Sequence, residues 1–162
     1  MRIDIFRPEH SRRFAVLNRE WLIQYDLLEP ADEAQLADPD GHFLAVGGQI
    51  FVALDDAEEV VGTCAVVPRG DDGECEIAKL AVDPAARGRG IARQLVECCL
   101  TWARAMGFRR AILVSNHQLL AARALYESFG FVYAPVPLDF AAEYVTADIY
   151  MSLELGPVTV AG

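Results

Sequence analysis

The stretch Glu76-Ile77-Ala78-Lys79-Leu80-Ala81-Val82-Asp83-Pro84-Ala85-Ala86-Arg87-Gly88-Arg89-Gly90-Ile91-Ala92-Arg93 decides how this chain is read. Its first half is apolar up to Val82, which predicts a strand, and Asp83-Pro84 turns the chain. Beyond it, Ile91, Leu95, Cys98 or Cys99, Trp102 and Met106 recur at helical steps, with Gly107 placed to cap the C-terminus. Gly88 and Gly90 stand between strand and helix. Glycine there lets backbone N–H groups approach a ligand with no side chain in the way. Those N–H groups and the helix dipole form an anion site suited to a pyrophosphate. Arg87, Arg89 and Arg93 add three positive charges at the same point. Two other readings stay open on these residues alone. The glycines can simply shape a turn with solvated arginines around it, or the segment can be a dinucleotide fingerprint. The second fits less well, because Gly-x-Gly-x-x-Arg lacks a third glycine and lies far down the chain.

Outward from this stretch, the pattern predicts a strand over residues 2–7, with Ile3 and Ile5 on one face, ended by Pro8. Phe14, Leu17, Trp21 and Tyr25 mark an amphipathic helix over residues 9–25, and Pro30 opens a short second helix through Leu36. Asp38 to Gly41 is a turn cluster. Runs 49–54 and 60–68 form a hairpin, and Asp71-Asp72-Gly73 turns into 74–82, giving an antiparallel meander. After the long helix, residues 111–115 read as a buried strand, 119–129 as a helix stopped by Gly130, and 131–134 and 147–153 as strands. Residues 135–144 read as a Pro-containing loop between them. The outcome is one mixed α+β domain over residues 1–162, with a mostly antiparallel sheet and one β-helix-β unit in its second half.

Composition bounds the partners. The 162 residues carry 24 acidic and 14 basic side chains, a formal net charge of −10, and Lys79 is the one lysine. Such a charge disfavours nucleic acid and anionic membranes and favours an amine-bearing partner. No run approaches the roughly 18 apolar residues of a membrane span. Arg2, Asp4 and Arg7 interrupt the N-terminal apolar runs, so no secretory h-region is expected. Cys64, Cys75, Cys98 and Cys99 show no metal-ligand spacing, and the expectation is reduced thiols, a cytoplasmic protein and no metal. Cys64 and Cys75 can be cross-strand neighbours in the meander, as small buried apolar residues.

Two blocks carry a family resemblance. Arg87-Gly88-Arg89-Gly90-Ile91-Ala92 resembles the acyl-coenzyme A signature Gln/Arg-x-x-Gly-x-Gly/Ala of the GNAT superfamily of N-acetyltransferases, and Leu80 to Pro84 is similar to its usual lead-in. Ala122-Arg123-Ala124-Leu125-Tyr126-Glu127-Ser128-Phe129-Gly130-Phe131 resembles that family's Ala-x-x-Leu-Tyr-x-x-x-Gly-Phe block. One departure is Leu119, where many members carry Asn; Ser115-Asn116 fits a variant with Ser-Asn earlier, so Asn116 becomes a cofactor-contact candidate. The resemblance implies a helix-flanked sheet whose splayed strand pair forms the acyl-coenzyme A cleft.

It further implies acetyl transfer from acetyl-coenzyme A to a primary amine of a small molecule or peptide, by direct attack in a ternary complex. The non-catalytic alternative is an acyl-coenzyme A-binding sensor or interaction module. The resemblance puts the phosphates on residues 88–93 with Arg87, the pantetheine along Leu80, Ala81 and Val82, and a thioester-polarising N–H near Leu80. Tyr126 matches the tyrosine beside the thioester sulfur, as general acid and cofactor contact, or is a packed helix tyrosine. Glu76 sits where some members carry a catalytic glutamate, or is a strand-end carboxylate in solvent or paired with Lys79. Those two are three apart, so only a bulge brings them to one face. For the acceptor the candidates are Trp21, Tyr25, Asp26 and Glu29 on one wall and Tyr133, Asp139, Glu143 and Tyr144 on the other. Aromatics with carboxylates suit a small cation, although Trp21 and Tyr25 can equally be core residues. A homodimer is also compatible with the family.

Overall fold

The computed structural model describes residues 1–156. Seven strands, β1 (Arg2–Ile5), β2 (Gln49–Leu54), β3 (Val60–Arg69), β4 (Glu74–Val82), β5 (Arg110–Ser115), β6 (Val132–Ala134) and β7 (Ile149–Glu154), form one sheet in the order β1-β2-β3-β4-β5-β7-β6. Every neighbouring pair is antiparallel except β4 and β5, which the crossover helix α3 (Ile91–Ala105) makes parallel.

The central strands are buried on both faces, which is why β3 reads as a nearly continuous apolar run rather than an alternating one. Cys64 and Val66 point to the side covered by α3 and α4 (Leu120–Ser128), against Leu95, Cys99 and Leu100. Ala65 points to the opposite side, covered by α1 (Ser11–Gln24) and α2 (Pro30–Ala37), with Phe14, Leu17, Leu36 and Phe43. Each leucine, valine or phenylalanine among them, shut away from water, contributes roughly 2 kcal/mol. A third cluster of Ile112, Phe140 and Tyr144 seats α5 (Leu138–Glu143).

Several expectations need correction. Residues 135–144 are not a plain loop: α5 lies within them, docked by Phe140. The turn cluster at 38–41 continues as a π-helical turn over Asp40–Leu44 that buries Phe43. In β1 it is Phe6, just past the strand, that enters the core, while Ile5 is exposed. On α3 the buried stripe uses Cys99, and Met106 faces water. Cys64 pairs with Phe51 and Cys75 with Pro68, so the two cysteines are not cross-strand neighbours. Both are fully buried as expected. Among the described residues, no helix is long and apolar enough to cross a membrane.

Candidate active site

The site begins as a failure of pairing. β4 and β5 are joined only at Glu74–Arg110, Cys75–Ala111 and Glu76–Ile112. Past that point the strands part, and a cavity of about 580 Å³ opens between residues 77–82 and 114–116. The N-terminal ends of α3 and α4 line one part of it, and residues of α1, α2 and the 144–147 segment the other.

The first part has the donors an anion cradle would need. Asp83 accepts from the Ala85 N–H (2.9 Å) and is held by Arg13 at 3.0 Å, so the turn out of β4 is fixed from two sides. Gly88 and Gly90 then have φ of +79° and +75°, the left-handed region that other residues enter at a cost of about 1 kcal/mol. Nothing lies within 4 Å of where a Cβ would stand at either, so backbone conformation and not crowding requires glycine there. Among the described residues, the N–H groups of 88–93 have no acceptor in the protein. That leaves a row of donors at a helix N-terminus. Arg87 and Arg93 line the same cavity; Arg93 also donates to Ser128 Oγ (2.8 Å) and lies 5.0 Å from the Phe129 ring centre. Arg89 points elsewhere, into a separate hollow with Asp55 and Asp56.

At mid-cavity a bulge reshapes β4. Thr63 pairs with Ala81 and Ala65 with Ala78, which leaves Lys79 and Leu80 together opposite Cys64. Lys79 has φ +56°, an uncommon conformation for a non-glycine residue. Two contacts hold it. Its carbonyl accepts from Thr63 Oγ1 (2.8 Å), itself bonded to Asn18 (3.0 Å), and its Nζ bonds Asp32 Oδ1 at 2.6 Å. The bulge also answers the spacing question: Glu76 and Lys79 both line the cavity.

Glu76 is 4% exposed, with Oε1 3.3 Å from Arg69 Nη1. Arg69 is shared with Glu143 (2.8 Å) and Asp139 (3.4 Å) and lies 3.8 Å over the Phe140 ring. Burial dominates, and Glu143 adds to it, so the Glu76 carboxyl is pushed up to about 7 despite Arg69. Its Oε2 has no hydrogen-bond partner among the described residues, and the side chain keeps 5% of its surface exposed. Tyr126, on α4, packs edge-on against Phe131 with ring centres 5.8 Å apart. Its hydroxyl has no partner among the described residues, and burial raises its pKa far above the usual tyrosine value. It stays protonated at any working pH.

The remaining candidates divide. Leu80, Ala81, Val82, Ile91, Ala92, Trp21 and Tyr25 line the cavity. Trp21 and Tyr25 also pack partly against the α1-side core, so they are wall and core at once. Asn116 lines it too, but its amide is occupied: Nδ2 donates to Thr146 O (2.9 Å) and Oδ1 accepts from Gln118 N (3.0 Å). Glu29 is also committed, accepting from Val145 N (2.8 Å), Thr146 N (3.4 Å) and Thr146 Oγ1 (2.6 Å). It clamps the 144–147 segment and is not a free carboxylate. Tyr133 is not brought to the cavity; it is exposed on β6, beside Arg123 and Glu127. Sequence reasoning missed Asp32 and Arg69. The buried partner of a sole lysine was a signal worth pursuing, whereas nothing local marks Arg69. No group of three or more potential metal ligands occurs among the described residues.

Comparisons with known proteins bear on the family and the fold. A family model described as the acetyltransferase (GNAT) family matches residues 9–131. An uncharacterized N-acetyltransferase of Schizosaccharomyces pombe is 32% identical over 126 residues, 76% of this chain and 77% of the relative. Other curated relatives are longer, the chain matching 41% of one and 40% of another. Among solved structures, a GNAT-family acetyltransferase of Staphylococcus aureus superposes with a TM-score of 0.84 at 18% identity, covering 96% of this chain and 99% of that one. A GNAT phosphinothricin acetyltransferase of Sinorhizobium meliloti, solved with acetyl-coenzyme A, gives a TM-score of 0.78 at 21% identity, covering 99% and 91%. At these identities the likeness is one of fold.

Proposed function

This chain belongs to the GNAT family of acetyltransferases, and on that premise we propose that it moves the acetyl group of acetyl-coenzyme A to a primary amine by direct attack in a ternary complex. The observation that carries the proposal is the row of N–H groups at 88–93 that lack acceptors among the described residues, beside the cavity that Gly88, Gly90, Ile91, Glu76 and Tyr126 all line. The residues fit the co-substrate: donors and two arginines for a diphosphate, open space over Gly88 and Gly90, and a parted strand edge at 80–82. Acetyl-coenzyme A, when bound, supplies an acetyl thioester already activated toward amines.

The protein then has four tasks. Residues 88–93 with Arg87 and Arg93 hold the diphosphate. The main chain of the β4 bulge, at Leu80, polarises the carbonyl. Glu76 Oε2 accepts the proton of the incoming ammonium, directly or through a water; a carboxyl poised near 7 is suited to that exchange. Tyr126, kept protonated by burial, donates to the departing sulfur. No cysteine is needed as nucleophile, and burial pushes Cys75 up to about 12, away from reactivity. The cytoplasmic setting read from cysteine usage is part of the same proposal.

The test is calorimetry with acetyl-coenzyme A followed by thiol release against a panel of amines. Binding with turnover is the expected result. Binding without turnover on any amine favours the sensor reading, and no binding removes the proposal altogether.

A further inference from the structure

The acceptor half of the cavity is less acidic than its residue list suggests. Among the described residues, three carboxylates line the cavity: Glu29, Asp32 and Glu76. Glu29 is consumed by three donors of Val145 and Thr146. Both oxygens of Asp32 are taken, Oδ1 by Lys79 at 2.6 Å and Oδ2 by the Glu29 N–H at 3.0 Å. Lys79 is in turn matched by Asp32 and lies 6.0 Å from the Tyr144 ring centre. Among the described residues, what is left for an acceptor is one carboxylate oxygen, Glu76 Oε2, in a cavity that the rings of Trp21, Tyr25 and Tyr144 also line.

From this arrangement we propose that the acceptor is a monoamine with an apolar, ring-sized body, and neither a polyamine nor a free amino acid. The inference rests on the acetyl-transfer reading. One free carboxylate oxygen matches one amine. A second ammonium would be buried with no free partner, because the other two acids are already bonded. A carboxylate on the acceptor would meet Glu76 and Asp32, with Lys79 already paired to Asp32 and Arg69 to Glu76, Asp139 and Glu143. An apolar body instead replaces water against three aromatic side chains. Selectivity here comes as much from the missing second partner as from the contacts made.

The experiment measures kcat/KM for thiol release from acetyl-coenzyme A with 2-phenylethylamine, methylamine, putrescine, spermidine and phenylalanine. The expected result is that 2-phenylethylamine exceeds both polyamines and phenylalanine by at least about tenfold, on the scale of one unpartnered buried charge. Trp21→Leu is expected to lower the ratio of 2-phenylethylamine to methylamine about tenfold. A ratio between two substrates does not move when a variant merely loses folded protein. Polyamines or phenylalanine turned over as well as 2-phenylethylamine, or a ratio unchanged in Trp21→Leu, overturns this inference and leaves acetyl transfer standing. Coenzyme binding with no turnover on any of the five overturns both.

Discussion

Replacing Glu76 by glutamine keeps the shape of the side chain and removes its titration. The carboxyl ionises at about 7 in the folded chain against an ordinary 4.5. At 1.4 kcal/mol per tenfold change in proton affinity, the fold holds that proton tighter by ~3 kcal/mol. The sign follows. Below about 4.5 the group is protonated in both states and costs nothing. Between about 4.5 and 7 the unfolded chain ionises while the folded one does not, so the wild type loses stability as pH rises. Above about 7 the full cost of ~3 kcal/mol is present. Glu76→Gln lacks this loss, and Arg69 keeps Glu143 and Asp139 as partners. Urea denaturation of both proteins from pH 4.5 to 8.5 is expected to show the variant gaining on the wild type by ~3 kcal/mol across that range. In parallel, the wild-type kcat/KM should rise with pH through about 7, since a base must be unprotonated to act. The variant should lose that limb together with about two orders of magnitude in rate. A stability difference that stays constant with pH would mean the carboxyl titrates normally. A limb near 7 that survives in the variant would assign the proton transfer to another group.

Tyr126→Phe should lower kcat by tenfold or more with the calorimetric Kd for acetyl-coenzyme A nearly unchanged, because only the hydroxyl is removed from a packed ring; full activity would reduce the residue to packing. Arg87→Glu should weaken coenzyme binding by at least tenfold, while Arg89→Glu should do much less, since only Arg87 lines the cavity; equal effects would mean the loop is held differently in solution. Asp32→Asn leaves Lys79 as a buried cation without its ion pair, which should cost about 3 kcal/mol in urea denaturation. The double variant Asp32→Leu, Lys79→Met should recover most of that loss, and a double variant as unstable as the single one would show that the pair is not what holds the site.

The proposed phosphate cradle was readable because everything it needs is local. A strand ending at Val82, a turn at Asp83-Pro84, glycines at 88 and 90 and a helix from Ile91 are adjacent in the chain, and their backbone conformations follow from residue type. The meander and the crossover helix were readable for the same reason, each being a periodic run between turn residues. The misread elements are those with weak local signals: α5 is six residues long and stabilised chiefly by Phe140 against Ile112 and Tyr144, so its sequence resembles a loop until those neighbours exist.

The proposed acceptor side was decided by tertiary structure. Whether Glu29 is a free carboxylate or a clamp depends on Thr146, 117 residues away, and the charge on the cleft depends on Asp32 meeting Lys79 across 47 residues. Tyr133 falls outside because β6 pairs at the outer edge of the sheet, beyond β7. Backbone conformation is set by a residue and its near neighbours, so the sequence alone determined the cradle. The charge state and availability of a side chain are set by burial and by partners distant in the chain, so only the folded protein determined which cavity carboxylate keeps an oxygen unpaired among the described residues.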